Sequence, residues 1–167
     1  AKSLREFGKK PNDVYTNIYW ALGYNWRMPE VSALLGIKQL ESLEENILKR
    51  KAIISHYDLL LKNKKFFNPI GLEYRNEFNG FKYILKVDPE LRSQLHKFFL
   101  KKNISPSGYV YELPLHRMSV FSEHNNNDLP NSDDYCASHF CLPVYPKMTE
   151  ENIVYVVKHF CEFFDIY

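Results

Sequence analysis

The sequence predicts an α+β fold: a long helix, then a small sheet of about three strands, mostly antiparallel, with two helices packed on it. Three observations predict this class. Apolar residues recur at helical spacing from residue 29 to about 63. The alternating segment 81–87 is followed, after one short turn, by a second helical pattern. A third helical pattern follows Thr149 near the end of the chain.

Length and charge limit the classes of function. The chain has 167 residues, enough for one domain with a core or one and a half small ones. Its 22 basic and 20 acidic residues give a net charge of +2, so we expect no nucleic-acid partner. No run approaches the roughly 20 apolar residues of a membrane span, and no signal peptide is evident. We therefore expect no membrane partner and a cytoplasmic location.

The first 28 residues are interpreted as a connector that ends in a turn. Large apolar residues in this part show no helical or strand periodicity: Leu4, Phe7, Val14, Ile18, Trp20 and Leu22. Scattered groups of this size rarely open a domain unless they pack against something else. We therefore expect the chain to be a fragment.

The turn at 23–29 is the candidate binding element. Pro29 fixes φ and lacks an amide hydrogen, which suits the first turn of a helix. Asn25 and Arg27 could then present planar hydrogen-bonding groups to an anionic ligand. The structural alternative is that Asn25 closes the turn and Arg27 pairs with a carboxylate at the helix start. Taken by themselves, the residues favour the structural alternative.

A long connecting helix is predicted over residues 29–63. Its apolar positions are Ala33, Ile37, Leu40, Leu43, Ile47, Ile54 and Leu61. At 1.5 Å per residue the segment would be about 50 Å long, which exceeds the width of a small domain. We therefore expect it either to bridge two bodies or to kink near Gly36 or Asn46.

A strand and a second helix follow. The strand would place on one face Phe81, Tyr83, Leu85 and Val87. Asp88 as N-cap and Pro89 at the first helical position predict a helix that runs to about residue 102. On this helix we expect His96 to face water.

The last third of the chain completes the expected sheet. Residues 109–112 predict a second strand, and residues 139–143 a third. Between them, the polar stretch 123–134 has too little apolar surface to order itself, so we expect it to be mobile or held by outside contacts. Thr149 would cap the last helix. Its apolar face would be Ile153, Val156, Val157, Phe160 and Phe164.

Strong local catalytic motifs are absent. The sequence has no P-loop, no Gly-x-Gly-x-x-Gly, no His-Glu-x-x-His and no Gly-x-Ser-x-Gly. Cys136, Cys141 and Cys161 form no Cys-x-x-Cys pair, so we interpret them as reduced core thiols and expect no metal. Residue chemistry alone reaches an α+β domain with a candidate site at Asn25, Arg27 and the end of the 109–117 segment.

Several stretches of the chain, in their order and spacing, resemble one known family. They are Gly23-Tyr24-Asn25-Trp26-Arg27-Met28, then Ala33, Gly36, Gln39, Leu40, Leu43, Arg50 and Tyr57, then Gly108-Tyr109, Pro114-Leu115-His116 and residues 142–151. This order is similar to that of the C-terminal half of the pyridoxal-phosphate sugar aminotransferases of the DegT/DnrJ/EryC1/StrS family. The resemblance covers nearly the whole chain.

The resemblance implies the type I aminotransferase fold. In that family a large domain holds the cofactor on a lysine, and a smaller C-terminal domain closes over the substrate. The implied domains are a connector and cofactor-contacting turn at 1–28, a connecting helix at 29–63 and a small α+β domain at 64–167. The family's lysine lies upstream of the turn, so we expect no catalytic residue here. The chain alone is then expected to bind no cofactor and to show no turnover.

The resemblance also implies roles for five residues. Asn25 would reach across a homodimer interface to the phosphate of the partner's pyridoxal phosphate. Arg27 would help to hold the cofactor or an anionic nucleotide-sugar substrate. Tyr109, Tyr111 and His116 would lie on the substrate side. The implied reaction is amino transfer from glutamate to a keto sugar nucleotide, as in polysaccharide biosynthesis.

Two alternatives stay open. Some members of the family are dehydratases in which histidine replaces the lysine, and that position is not within these residues. A different class of function would be a non-catalytic dimerisation or interaction module built on the long helix. A cofactor domain of about 200 residues upstream would favour the enzyme.

Overall fold

The computed structural model describes residues 1–10, 18–124 and 128–166. The chain divides into two units, residues 1–44 and 45–167, which are described separately. Val14 of the expected connector and Asn125, Asn126 and Asn127 of the expected polar loop lie outside the described residues. The boundary between the units falls within the stretch expected to form one connecting helix.

The first unit holds a short helix, a region of paired loops and the front half of the expected long helix. Helix α1 spans Lys2–Arg5 and helix α2 spans Glu30–Glu41. Pro29 is the N-cap of α2 rather than its first helical residue, with extended backbone angles (φ −60°, ψ 147°). The large apolar side chains of α2 are exposed: Val31, Leu34, Leu35, Ile37 and Leu40.

The helical pattern at 29–63 forms two helices. Helix α3 spans Leu43–Leu61 and follows α2 after Ser42, which caps α2 with non-helical backbone angles (φ −102°, ψ 4°). The break falls at Ser42 rather than at Gly36 or Asn46, which both lie within helices. Helix α3 buries Ile53, Ile54, Tyr57 and Leu61. No helix in the described part of the chain combines the length and apolarity of a membrane span.

In the described part of the chain, the sheet has two strands rather than the expected three. Strands β1 (Tyr83–Lys86) and β2 (His139–Leu142) pair antiparallel, with Tyr83 opposite Leu142 and Lys86 opposite His139. The expected strand at 109–112 does not form, because the Val110 N–H donates to the His139 side chain instead of to a neighbouring strand. The other edge of β1 makes one isolated bridge, between Leu85 and Pro69.

Two helix starts are confirmed. Helix α4 spans Pro89–Lys101, and the Asp88 Oδ1 accepts the Glu90 N–H at 2.9 Å. Helix α6 spans Glu150–Ile166. At its start the Thr149 Oγ1 accepts the Asn152 N–H, and the Asn152 Oδ1 accepts the Thr149 N–H, both at 3.2 Å. This reciprocal arrangement satisfies two amides that a helix start otherwise leaves unpaired.

One helix lies where the sequence predicted a polar loop. Helix α5 spans Pro130–Ser138 and therefore includes residues 130–134 of the expected loop at 123–134. Before it, the chain makes short 3₁₀ helices at Leu115–Arg117 and Ser119–His124, after an earlier one at Leu72–Tyr74. The helix was missed because it buries only Cys136 and Ser138 and therefore has no apolar stripe.

The core of the second unit is rich in aromatic rings. Its largest fully buried side chains are Tyr57, Tyr83, Phe99, Phe140, Phe160 and Phe163. The expected strand face is confirmed for Tyr83, Leu85 and Val87, whereas Phe81 precedes the strand and is 62% exposed. His96 is half-buried rather than fully exposed to water.

The cap at Thr149 gives a first testable prediction. Thr149→Ala is expected to lower the free energy of unfolding by about 1 kcal/mol, because the Asn152 N–H loses its acceptor. Chemical unfolding followed by circular dichroism measures this change. Ser93→Ala, which removes an exposed hydroxyl from α4, serves as the control and is expected to change stability by less than about 0.5 kcal/mol. Equal losses in both variants would contradict the capping role.

Candidate functional site

The candidate turn is held by pairing with the first residues of the chain. Residues 4–8 run alongside residues 20–26, with an antiparallel bridge between Glu6 and Asn25. The hydrogen bonds are Phe7 N–H to Tyr24 O (3.0 Å), Tyr24 N–H to Leu4 O (2.7 Å) and Trp26 N–H to Arg5 O (3.0 Å). The segment expected to be a connector thus forms the base on which the turn is fixed.

Two glycines allow this pairing. Gly8 has φ +81°, and a Cβ built on it would lie 1.8 Å from the Ala21 carbonyl oxygen. A Cβ on Gly23 would lie 2.0 Å from the Gly8 backbone nitrogen. Because no side chain fits between the two backbones, both positions require glycine.

Asn25 and Arg27 are brought together at the surface of this unit. The Arg27 Nε donates to the Asn25 Oδ1 at 3.1 Å, and both residues are exposed. The guanidinium lies 5.5 Å from the centre of the Phe7 ring. Since Oδ1 is already an acceptor, the Asn25 amide nitrogen and the terminal nitrogens of Arg27 are donors for a ligand. A donor set of this kind fits a phosphate group.

The groups around Asn25 and Arg27 determine which positive charge a ligand would meet there. A hydrogen bond from Arg5 at 2.9 Å lowers the pKa of the neighbouring Glu6 carboxyl, which stays charged and paired. The alternate residues Tyr24 and Trp26 stack on each other, with ring centres 4.4 Å apart and planes 7° apart. Because Arg5 pairs with Glu6, the cation in direct contact with Asn25 is Arg27.

In the second unit, Tyr111 and His116 line one cavity of about 740 Å³. The other lining residues are Pro114, Leu115, Phe121, Leu129, Asn131, Ser132, Tyr135 and Cys136. Tyr111 is 59% exposed, whereas His116 is only 6% exposed. The walls are mostly apolar and aromatic with a few polar groups, as is usual for small-molecule pockets.

Tyr109 is not among the residues that line this cavity. The Arg92 guanidinium lies 4.2 Å from the centre of its ring, and the ring meets His139 edge-on at 5.7 Å. Partial burial raises the pKa of its hydroxyl. Arg92 also donates to the Cys136 carbonyl oxygen. Packing against Arg92 and His139 thus fixes Tyr109. The next residue, Val110, is held by the hydrogen bond from its N–H to His139.

His139 holds the segment beside the cavity in place, a role that the sequence did not reveal. It is fully buried, and its Nε2 accepts the Val110 N–H at 2.8 Å. Its Nδ1 therefore carries the hydrogen and donates to the Tyr135 carbonyl oxygen at 2.7 Å. The Tyr135 ring stacks on the imidazole at 4.7 Å. Strand β2 thereby anchors the segment that carries Tyr109 and Tyr111.

Asp133 is the second group that sequence reasoning missed. It lies in the first turn of α5 and accepts two hydrogen bonds from Arg117, Nε to Oδ1 at 3.1 Å and a terminal nitrogen to Oδ2 at 2.9 Å. The His116 Nε2 lies 3.3 Å from both carboxylate oxygens. The signal that could have located this helix is Pro130 at its first turn followed by Asp133.

A sequence model of the DegT/DnrJ/EryC1/StrS aminotransferase family matches residues 1–161. The chain belongs to this family. It is 30% identical over 145 residues to the dTDP-4-amino-4,6-dideoxy-D-glucose transaminase of Escherichia coli, covering 83% of this chain and 38% of that protein. It is 27% identical over 150 residues to the GDP-perosamine synthase of Escherichia coli O157:H7, covering 87% of this chain and 40% of that protein.

Solved structures show the same fold for this DegT/DnrJ/EryC1/StrS chain. Helicobacter pylori PseC, an aminotransferase of pseudaminic acid biosynthesis, matches with a TM-score of 0.84 at 18% identity over 99% of this chain and 45% of that one. The PLP-form of the sugar aminotransferase Spr1654 from Streptococcus pneumoniae matches with a TM-score of 0.81 at 20% identity, over 99% and 42%. The resemblance drawn from residue order and the α+β class are both confirmed, with two strands in the sheet.

The DegT/DnrJ/EryC1/StrS chain spans about two fifths of the length of the curated relatives named above. The three cysteines of the chain are free. Burial raises the pKa of each thiol, which disfavours a thiolate nucleophile. Cys136 and Cys141 are buried, as expected of core thiols, whereas Cys161 is only half-buried. Within the described ranges, no group of three or more His, Cys, Asp or Glu side chains could hold a metal ion.

Proposed function

We propose that the chain is the C-terminal part of a pyridoxal-phosphate-dependent nucleotide-sugar aminotransferase. The reaction would transfer the amino group of glutamate to a keto sugar nucleotide. The observation that carries this proposal is the family match across residues 1–161, which includes both the Asn25 turn and the cavity at His116. The transaminase relatives named for dTDP- and UDP-linked amino sugars support the substrate class.

Asn25 and Arg27 are proposed to hold the cofactor phosphate. The Arg27 Nε bond to the Asn25 Oδ1 fixes the amide so that its NH₂ group is the side free to donate. Arg27 adds a permanent positive charge and further N–H donors, which suit a phosphate dianion. When bound, pyridoxal phosphate supplies the electron sink for amino transfer, while the protein supplies binding and orientation.

The cavity at His116 is proposed to take part of the nucleotide-sugar substrate. Tyr111 and Tyr135 offer aromatic surface for a sugar or base ring, and His116, Asn131 and Ser132 offer hydrogen-bonding groups. Tyr109 is proposed to act on the substrate side through the segment that it anchors beside Arg92 and His139.

The complete site is proposed to need more than this chain. We place the Schiff-base lysine in a cofactor domain upstream of residue 1, and the cofactor that Asn25 contacts in the partner subunit of a homodimer. The isolated 167-residue chain is then expected to show no visible-region cofactor absorbance and no turnover. A lysine-linked cofactor in this chain would contradict that assignment.

The cofactor role of Asn25 gives the second prediction. In the full-length protein, Asn25→Ala is expected to weaken pyridoxal phosphate binding about 10- to 100-fold, since a hydrogen bond to a charged group contributes roughly 1.5–3 kcal/mol. Spectrophotometric titration of the cofactor-free protein measures the dissociation constant. Gln39→Ala, which removes an exposed amide from α2, is the matched control and is expected to leave the constant unchanged. Identical constants for Asn25→Ala and the parent protein would refute the contact.

The reaction itself is tested with the full-length protein, pyridoxal phosphate, glutamate and a 4-keto-6-deoxy sugar linked to dTDP. We expect formation of 2-oxoglutarate in a 1:1 ratio with the amino sugar nucleotide. Mass spectrometry of the sugar nucleotide and an enzyme-coupled assay for 2-oxoglutarate measure the two products. Loss of a hydroxyl from the sugar without consumption of glutamate would instead identify a dehydratase.

A further inference from the structure

The carboxylate of Asp133 joins helix α5 to the 3₁₀ helix Leu115–Arg117. Arg117 donates two hydrogen bonds to it in a side-on arrangement, at 3.1 Å and 2.9 Å. The His116 Nε2 lies 3.3 Å from each of its two oxygens. One acidic side chain thus contacts two consecutive residues, of which His116 lines the cavity while Arg117, like Asp133 itself, does not.

The protonation state of the Asp133 carboxyl determines which ring nitrogen of His116 carries the hydrogen. The hydrogen bonds from Arg117, and secondarily from His116, lower the pKa of Asp133, which is therefore a carboxylate at neutral pH. A carboxylate only accepts hydrogen bonds. The His116 Nε2 must therefore carry a hydrogen, and in the neutral ring Nδ1 is then an acceptor.

The second ring nitrogen is the group that a ligand could use. Among the residues that the structure describes, no side chain or backbone group is paired with the His116 Nδ1. His116 is one of the few polar groups on a mostly apolar cavity wall. Whether its ring offers a donor or an acceptor there therefore determines which polar groups of a ligand can be recognised.

We propose that Asp133 is a positioning residue that holds His116 in the Nε2–H tautomer, so that Nδ1 accepts a hydrogen bond from a hydroxyl group of the substrate. The identity of the substrate as a nucleotide sugar rests on the proposed function, whereas the tautomer does not. Arg117 has the supporting role of orienting the carboxylate through its two hydrogen bonds. This explains why an acidic residue and an arginine flank a nearly buried histidine.

The tautomer is tested by long-range ¹H–¹⁵N NMR of the histidine side chains in the full 167-residue chain. The parent protein is expected to show His116 with its hydrogen on Nε2. In Asp133→Asn, the amide oxygen would accept from Arg117 and the NH₂ group would face the Nε2, so the hydrogen is expected to move to Nδ1. Asp133→Glu, which keeps a carboxylate, is expected to restore the parent tautomer.

Arg117→Gln is the matched control that distinguishes loss of the Asp133 carboxylate from a general disturbance of the structure around His116. It removes the Arg117 hydrogen bonds and leaves the Asp133 carboxylate facing His116, so the parent tautomer is expected. Inversion in Arg117→Gln as well as in Asp133→Asn would overturn the proposal. So would a hydrogen on Nδ1 in the parent protein, a result that requires no variant to fold.

A kinetic measurement on the full-length enzyme tests the link to the substrate. Asp133→Asn is expected to raise the KM for the keto sugar nucleotide about tenfold with little change in kcat, because a hydrogen on Nδ1 forces the substrate hydroxyl to accept rather than donate and so to reorient. Asp133→Glu is expected to recover most of the loss. An unchanged KM overturns the proposed contact with the substrate. If the parent enzyme has no aminotransferase activity while the NMR results are as expected, the proposed function fails and the positioning of His116 stands.

Discussion

The replacement Phe160→Ala is expected to lower the free energy of unfolding of the second unit by about 3–5 kcal/mol. Phe160 lies on α6, is fully buried, and is surrounded by the rings of Phe66, Phe99 and Phe164 at centre-to-centre distances of 5.0–6.3 Å. Alanine would remove the ring and leave a cavity. Phe66 and Phe99 come from other segments of the chain and Phe164 lies on α6 itself, so these rings cannot collapse into that space without disturbing the packing of α4 and α6.

Urea unfolding followed by far-UV circular dichroism measures this loss. Val154→Ala, on the same helix but at a position that is 48% exposed, is the control and is expected to cost less than about 1 kcal/mol. A Phe160→Ala loss no larger than that of the control would show that the aromatic core contributes less than its burial indicates.

The parts of the fold that were predicted from the sequence depend on residues close together in the chain. The starts of α4 and α6 follow from Asp88, Pro89 and Thr149, because a cap acts on amides two or three positions away. The buried face of β1 follows from simple alternation at Tyr83, Leu85 and Val87. A helix start or the buried face of a strand can therefore be predicted from the nearby residues alone.

The elements that were wrong or missed depend on distant contacts. The 109–112 segment has the composition of a strand, but the Val110 N–H is taken by a histidine 29 positions later. Helix α5 has no apolar stripe and is tied to the 3₁₀ helix Leu115–Arg117 through Asp133, which contacts His116 at a separation of 17 positions. A periodicity analysis detects neither relation, because both join side chains to partners in other elements.

The candidate site likewise combines features that nearby residues predicted and features that depend on distant contacts. Residue chemistry located the turn at 23–29 and the 109–117 segment, and the family resemblance assigned roles to their residues. The structure places Asn25 beside Arg27, and Tyr111 on the same cavity as His116. The sequence attributed the rigidity of the turn to Pro29, whereas the hydrogen bonds come from residues 4–8. Those residues carry no periodic pattern, so their pairing partner could not be inferred.

Replacing His139 with alanine is the second change with a large expected effect, a loss of about 3–5 kcal/mol in the free energy of unfolding. The substitution removes a fully buried ring that stacks on Tyr135 and leaves the Val110 N–H and the Tyr135 carbonyl without their partners. His56→Ala, at a histidine whose side chain is 26% exposed, is the control and is expected to cost about 1 kcal/mol or less. Equal losses would contradict the anchoring role of His139.

The same residue predicts how stability depends on pH. Burial, reinforced by the charges of Arg92 and Lys82, lowers the pKa of His139 below its usual 6.5, although its bond to the Tyr135 carbonyl opposes the shift. Because the unfolded chain then binds the proton more readily, the stability that the neutral ring contributes is fully present above pH 6.5. It is lost as the pH falls through the lower folded pKa, by at most about 1.4 kcal/mol per pH unit. Protonation also removes the acceptor at Nε2, which releases the Val110 N–H and with it the segment that carries Tyr111.

Unfolding free energies measured from pH 8 to pH 5 for the parent chain and for His139→Gln test this expectation. Glutamine can accept and donate hydrogen bonds but does not titrate, so the stability difference between the two proteins is expected to stay constant above pH 6.5 and to shrink below it. Every other titratable group is common to both proteins, so their contributions largely cancel in the difference. A difference that grows as the pH falls would mean that His139 is charged in the folded protein, and the neutral Nδ1–H tautomer assigned from the Val110 contact would then be wrong.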